Sequence, residues 1–236
     1  AVCPDFDVMY TESAGHAIRL SGDAVRSGYT TIIAVGGDGT LNETVNGILS
    51  EASPNAAVTL GLIPQGTGSD FRRTLDLPLK EEDAIGIIGR GKTATVDAMR
   101  VQYQTTTSTT HTRYALNVTS FGMGGAVAAR ANRSSKPLGG KVAFLAATAV
   151  TSLGFAGNHV SIQTDGGLWR DVQITNVAVG NGQFHGAGMR VCPRAIIDDG
   201  LLDLTIIEKL SFTEIVRSLR SLFNGRIYDH PKISHG

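Results

Sequence analysis

Residues 30–49 read TTIIAVGGDGTLNETVNGIL, and the order of residue types in this stretch decides the fold. The apolar run Thr31–Val35 predicts a parallel β-strand that is buried on both faces. A helix is predicted next, because apolar residues recur at helical spacing at Leu41, Val45, Ile48 and Leu49. The glycine-rich segment GGDGT joins the two elements, so the stretch reads as one strand–loop–helix unit.

The same order is repeated later in the chain. A buried strand at Val58–Ile63 is followed by the loop Gly66-Thr67-Gly68-Ser69-Asp70. A short helix is then predicted at Asp70–Leu75, with Ser69 as its N-cap, and another at Glu81–Ile88. A strand at Phe6–Tyr10 and a helix at Ala14–Ser27 are predicted upstream. Alternating strands and helices favour a parallel α/β sheet.

Both glycine-rich loops suit phosphate binding. Glycines let the backbone approach phosphate oxygens, and a helix that begins there offers unpaired N–H groups and a partial positive charge. Asp38 would stand among these groups at the carboxyl end of a strand, where it could bind a metal or accept a proton. The structural alternative is a tight turn with a capping aspartate. If the two strands are adjacent, the loops lie side by side and form one nucleotide cradle.

Composition limits the possible functions. The 236 residues carry 21 basic and 21 acidic side chains, which argues against a general nucleic-acid binder. Residues 1–97 hold 13 acidic and 7 basic groups, which gives a net charge of −6. Residues 98–236 hold 8 acidic and 14 basic groups, which gives a net charge of +6. The basic half could face an anionic phospholipid surface, or its charges could simply be scattered over solvated surface. The apolar stretch Val142–Leu153 is too short to span a bilayer.

After Asp97 the pattern becomes rich in strands, which predicts a boundary between domains at 1–97 and 98–236. Two helical stretches, Ala126–Arg133 and Gly140–Leu153, interrupt the strands, and a closing helix is predicted at Phe212–Phe223. The strands are predicted at Thr95–Gln102, Tyr114–Ser120, Val160–Thr164, Val172–Val179 and Leu201–Ile207. Gly86–Thr93 matches a P-loop pattern formally, but a helix precedes it and a strand follows, which is the reverse of the required context.

Three segments of the sequence together resemble the diacylglycerol kinase catalytic family. They are GGDGT with LNETVNG, then LGLIPQGTGSDFRRTLDLP, and later VAVGNGQFHGAGMRVCPRAIIDDGLLDLTII. This family includes bacterial diacylglycerol and related lipid kinases and the sphingosine and ceramide kinases. The resemblance runs from about Tyr10 to about Phe223. It implies an α/β plus β-rich fold. An N-terminal parallel α/β domain like that of NAD kinases and phosphofructokinases would precede a β-sandwich-like domain with inserted helices.

The resemblance also implies site residues and cofactors. ATP would contact Thr11 and the two loops, at Gly36, Gly37, Asp38, Gly39, Thr40, Leu41, Asn42, Gly66, Thr67 and Gly68. A structural Mg²⁺ would be held by Asp199 with backbone carbonyls of Ile196 and Leu201, whereas the residues alone favour an ordinary Asp-Gly turn there. Asp38 is the predicted catalytic residue. Ser69 departs from the family, which commonly has Asn at this position.

The implied activity is transfer of the ATP γ-phosphoryl group to a lipid hydroxyl, with diacylglycerol the expected acceptor. The expected partners are a lipid at the inner membrane surface, no nucleic acid, and a second copy in a homodimer. Peripheral cytoplasmic localisation is expected. A soluble-substrate kinase of the NAD kinase type and a non-catalytic binding module are the alternatives. The family's proposed general base belongs to a later acidic motif, so we expect the sequence to be part of a longer chain of roughly 300 residues.

Overall fold

The computed structural model describes residues 6–52, 57–66, 68–133, 147–148 and 150–236, without the side chains of 131–133. Contacts divide the chain into two compact units, residues 1–116 with 197–199, and residues 117–196 with 200–236. The first unit contains, in chain order, α1 (His16–Arg26), β1 (Thr31–Gly36), α2 (Asp38–Glu51), β2 (Thr59–Pro64), α3 (Asp70–Thr74), α4 (Glu81–Gly89), β3 (Met99–Gln104) and β4 (Thr110–Ala115).

The second unit is built mainly from strands. It contains β5 (Val118–Gly122), α5 (Met123–Arg133), β6 (Asn158–Ile162), β7 (Arg170–Gly180), β8 (Phe184–His185), β9 (Met189–Arg190), β10 (Asp203–Glu208), α6 (Phe212–Asn224), a 3₁₀ turn (Ile227–Asp229) and β11 (Ile233–His235). The long strand β7 pairs antiparallel with β5, β6 and β10, and β10 pairs with β11. The predicted helix Gly140–Leu153 lies largely outside the described residues.

The predicted α/β and β-rich fold class is confirmed. In the first unit β1 and β2 are parallel neighbours in register, with Gly36 opposite Pro64. Their glycine-rich loops therefore leave the same edge of the sheet. The core beneath them is formed by Ala34, Leu41, Val45 and Phe71, so the apolar face of α2 covers β1 as its helical spacing predicts.

Two predicted elements differ from the structure. Phe6–Tyr10 forms no strand, because the described residues provide it with no ladder partner and its side chains are exposed. The predicted strand Tyr114–Ser120 is two strands in two sheets, β4 and β5. Asn117 separates them, since its carbonyl accepts the N–H groups of Asn181 and Gly182 and its side chain donates to the carbonyl of Phe184. These bonds redirect the chain into the second unit.

The first compact unit extends beyond the predicted boundary near residue 97. The hairpin of β3 and β4 belongs to it, because the side chain of Asn46 on α2 both donates to the carbonyl of Tyr114 (2.8 Å) and accepts its N–H (2.9 Å). The N–H of Asp97 also donates to the carbonyl of Ile197 (2.7 Å), which brings residues 197–199 into this unit. Sequence periodicity carries no signal for such distant pairings.

Helix α6 has a well-defined start and end. Ser211 and Glu214 form a capping box, and Gly225 ends the helix in the left-handed conformation (φ 77°). Glu214 also accepts a hydrogen bond from Lys232 (2.7 Å). The bond from Lys232, and then those from the Ser211 backbone and hydroxyl, lower the pKa of Glu214 to about 2. The ionised carboxylate therefore links the helix start to the segment before β11.

The first testable prediction concerns this carboxylate and pH. A depressed pKa in the folded state stabilises the protein above the unfolded-state pKa near 4.5, and that stabilisation is lost as the pH falls toward 2. We expect Glu214→Gln to lower the urea midpoint at pH 7, and the difference from wild type to shrink steadily below pH 4.5. Glu12→Gln, an exposed control, should show no such trend. A difference that stays constant down to pH 3 would contradict the linkage.

Candidate active site

The first glycine-rich loop lies at the start of α2. Gly37 is the N-cap in extended conformation, and Asp38 is the first helical residue. Going along α2 from its start, Leu41 is the first residue whose N–H has an acceptor within the turn, the carbonyl of Gly37 (3.0 Å). The N–H groups of Asp38, Gly39 and Thr40 precede it and have no acceptor inside the helix. The loop thus presents three donors and the positive end of a helix dipole at the edge of the sheet.

The two loops touch each other closely. A Cβ atom built on Gly66 would lie only 2.3 Å from the Cα of Gly37, and one built on Gly37 would lie 3.0 Å from the Cα of Gly66. Gly36 is likewise constrained, because its Cβ would approach Oγ1 of Thr40 to 2.6 Å. These three glycines are therefore explained by packing within the unit. The predicted side-by-side arrangement of the loops is confirmed.

Gly39 has no such explanation. A Cβ atom there would meet nothing within 4 Å, and the residue does not adopt a positive φ. A glycine inside a helix costs roughly 0.5–1 kcal/mol relative to alanine. Its exposed position in the first turn of α2 leaves space for a ligand to approach the backbone. Gly39 is therefore the glycine whose presence the protein's own packing does not require.

The carboxylate of Asp38 has the capping role of the structural alternative, but the helix that it caps is α3 rather than its own. It accepts the N–H of Asp70 (3.0 Å) and the N–H of Phe71 (3.1 Å), which are the first two residues of α3. Ser69, the predicted N-cap of α3, has a positive φ of 46° and makes no capping bond; its hydroxyl donates to the carbonyl of Gly66 instead. Asp38 therefore caps α3 from another helix and ties the two loops together.

A second carboxylate of α2 does the same for α1. Glu43 accepts the N–H of Gly15 (2.8 Å) and the N–H of Ala17 (3.2 Å) at the start of that helix. Thr11, the residue predicted to reach ATP, is exposed in the loop just before it. The positions of both loops and of the entry to α1 consequently depend on side chains of one helix.

Other predicted site residues have roles in the fold. Leu41 is buried in the core, and the amide of Asn42 donates to the carbonyl of Tyr114 (3.1 Å). Gly68 is half-buried, and Thr67 lies outside the residues that the structure describes. None of these observations places a nucleotide, so the assignment of these residues to ATP stays a prediction.

The predicted metal ligands lie in the loop before β10. The side chains of Ile196 and Leu201 are exposed, and Gly200 has a positive φ of 74°, as an Asp-Gly turn requires. Carboxylate and carbonyl oxygens are ligands that Mg²⁺ accepts, so the donor set fits such an ion chemically. Within the described part of the chain, no group of three or more His, Cys, Asp or Glu side chains could hold a metal.

Comparison with known proteins decides the family. Residues 2–101 match the model of the diacylglycerol kinase catalytic domain, and residues 117–235 match that of the YegS C-terminal NAD kinase beta sandwich-like domain. The chain belongs to the YegS-like lipid kinase family. A protein of Xanthomonas euvesicatoria that is named "Probable lipid kinase YegS-like" is 33% identical over 93% of this chain and 69% of its own length. A protein of Pseudomonas fluorescens with the same name is 31% identical over 94% of this chain and 69% of its own length.

Solved structures agree with this membership of the YegS-like family at the level of the fold. A diacylglycerol kinase structure from Bacillus anthracis aligns with a TM-score of 0.64 at 23% identity, over 99% of this chain and 71% of that chain. Another crystal structure from the same organism aligns with a TM-score of 0.68 at 25% identity, over 99% of this chain and 73% of that chain. Among the described residues of this YegS-like chain, none of the helices combines the length and apolarity needed to cross a membrane.

Proposed function

We propose that this lipid kinase family member transfers the γ-phosphoryl group of ATP to a lipid hydroxyl, with diacylglycerol as the acceptor. The observation that carries the proposal is the start of α2, where free N–H groups and the exposed Gly39 adjoin the loop after β2. Such a cradle can bind the phosphates through backbone donors. The family names and the fold support a kinase, and the choice of acceptor and of nucleotide is our proposal.

In the proposed reaction the acceptor hydroxyl oxygen forms a bond to the γ-phosphorus. The bond from that phosphorus to the β–γ bridging oxygen breaks, ADP leaves, and the hydroxyl proton passes to a carboxylate. Both oxygens of Asp38 already accept N–H groups from α3. We therefore assign Asp38 a positioning role, in which it holds the two phosphate-binding loops at a fixed separation. Mg²⁺ would supply neutralisation of phosphate charge when bound.

An acceptor screen tests the reaction itself. The purified protein would be incubated with γ-labelled ATP and Mg²⁺ in mixed micelles that contain diacylglycerol, monoacylglycerol, ceramide or sphingosine, with NAD in a separate arm. We expect label in the diacylglycerol product. Label in NAD alone would instead support the soluble-substrate alternative, and ATP binding without any labelled product would support a non-catalytic binding module.

A second testable prediction concerns Gly39. We expect Gly39→Ala to weaken ATP binding by about 10-fold or more, because the methyl group would occupy the space through which phosphate reaches the backbone. Stability should be unchanged or rise by about 0.4–1 kcal/mol, since nothing obstructs the methyl group. Isothermal titration and thermal melting measure the two effects.

Gly89→Ala is the matched control for Gly39. Gly89 is an exposed helical glycine of α4 whose Cβ would also meet nothing within 4 Å. We expect this variant to bind ATP as wild type does. Equal ATP affinity in wild type and Gly39→Ala would show that the start of α2 is not the phosphate site.

A third testable prediction concerns Mg²⁺. We propose that Asp199, with the carbonyls of Ile196 and Leu201, binds this ion in the folded protein. A ligand that binds only the folded state raises the melting temperature with its concentration. We expect wild type to melt higher as Mg²⁺ is added, and Asp199→Asn to lose most of that dependence. If EDTA and Mg²⁺ leave wild-type melting unchanged, the segment is only a turn.

A further inference from the structure

Helix α6 has an apolar stripe that the protein leaves exposed. Phe212, Val216 and Phe223 are 41%, 48% and 40% exposed, and Leu219 between them is half-buried. Their spacing of four, three and four residues places them along one side of the helix. Two phenylalanines and two aliphatic residues therefore form a continuous strip, which we call the α6 stripe.

The α6 stripe is not the side by which the helix is held. Ile215 is buried in a core with Ile207, Leu210, Ile227 and Ile233, and Leu222 packs against the same cluster. Ser218, on the same side as Ile215, is also buried. The helix is thus anchored through these residues and fixed at both ends by its caps. The residues of the α6 stripe take no part in this cluster.

A basic flank runs beside the α6 stripe. Arg217 and Arg220 are both exposed, and neither forms a hydrogen bond or ion pair with any residue that the structure describes. The nearby carboxylates are already engaged, because Glu214 binds Lys232 (2.7 Å) and Asp229 binds Arg226 (2.9 Å). Arg217 and Arg220 also line an open groove that reaches His230. The uncompensated charge on this side of α6 is therefore positive.

We propose that the α6 stripe and its two arginines bind the surface of a bilayer that contains anionic phospholipids. Aromatic and aliphatic side chains on one side of a surface helix enter the boundary between headgroups and acyl chains. Arginines beside them can then hydrogen-bond to lipid phosphates. A two-fold contact with a second copy is less suited to this face, since it would bring the same unpaired arginines of both chains together.

The proposal is independent of the proposed phosphoryl transfer, because vesicle binding needs neither ATP nor turnover. The experiment is cosedimentation of the full chain with vesicles of phosphatidylcholine alone or mixed in equal parts with phosphatidylglycerol. We expect binding to the mixed vesicles and little to phosphatidylcholine alone. Arg217→Gln with Arg220→Gln should weaken that binding roughly 30-fold, since each arginine near an anionic surface contributes a factor of about five. Val216→Ser with Phe223→Ser should weaken it as well.

The control is Arg100→Gln with Arg113→Gln, which removes the same charge from exposed positions on the β3–β4 hairpin. We expect it to bind mixed vesicles within about twofold of wild type. Circular dichroism melting checks that every variant is folded. Any of four results would overturn the proposal: no binding by wild type, equal binding to both vesicle types, an equal loss in the control pair, or a wild-type dimer that the stripe variant converts to monomer.

Discussion

Replacing Asp38 by asparagine is expected to lower the rate of phosphoryl transfer by about 100-fold, because misplaced binding groups cost rates of that order. The carboxylate accepts two N–H groups of α3, at 3.0 and 3.1 Å. Asparagine has one carbonyl oxygen, and its NH₂ group would face a backbone donor. One N–H at the start of α3 is then left without its acceptor, at a cost of about 1–3 kcal/mol. We therefore expect Asp38→Asn to lose stability as well as activity.

Steady-state kinetics and urea unfolding test this prediction together. Asp83→Asn serves as the control, since Asp83 is exposed on α4 and its carboxylate bonds to neither loop in the described part of the chain. We expect the control to match wild type in both measurements. If Asp38→Asn loses activity but keeps wild-type stability, the carboxylate acts on the substrate or its metal and the positioning role is wrong. Wild-type activity and stability in Asp38→Asn would show that Asp38 has no role in the active site.

Among glycine-to-alanine replacements in the two glycine-rich loops, Gly66→Ala is expected to cause the largest loss of stability. Its Cβ would lie 2.3 Å from the Cα of Gly37, and the contact is with backbone, which cannot swing aside. The two loops must therefore move apart. We expect a stability loss of about 1–3 kcal/mol, as for other overpacked sites, and ATP binding weakened by about 10-fold or more. Thermal melting and isothermal titration measure these losses.

Gly86→Ala is the comparison for Gly66. Its Cβ would approach only the end of the flexible Arg90 side chain, at 3.8 Å, so we expect neither loss. The Gly66 and Gly39 variants should differ in a further respect. Gly66→Ala should lose stability and ATP binding together, whereas Gly39→Ala should lose ATP binding alone. Wild-type stability in Gly66→Ala would mean that the loops do not touch in solution.

The sequence predicts the architecture of the first unit well, because its signals are local. An unbroken apolar run, glycines at the strand end and helical spacing beyond them suffice to place β1, the loop and α2. Adjacent parallel strands then bring the second loop beside the first. The same reasoning failed at Phe6–Tyr10, where a locally apolar segment has no strand beside it among the described residues. Composition cannot indicate whether a pairing partner exists.

The site was predicted only in outline, because its bonds join residues far apart in sequence. Asp38 caps a helix 32 residues later, and Glu43 caps one 26 to 28 residues earlier. Ser69 has the residue type of an N-cap, but its left-handed backbone directs the hydroxyl to Gly66. Residue type therefore indicates that a carboxylate or hydroxyl is useful at a loop. Which backbone group it bonds to is decided by tertiary structure.

The two carboxylates of α2 also have a consequence for local unfolding. Amide protons exchange with solvent when the hydrogen-bonded segment around them opens, and segments that share bonds open together. The N–H groups of Gly15, Ala17, Asp70 and Phe71 all donate to side chains of one helix. Detachment of α2 from the sheet would release all four at once. We therefore expect the starts of α1 and α3, far apart in the chain, to exchange their protons as parts of a single cooperative segment centred on α2.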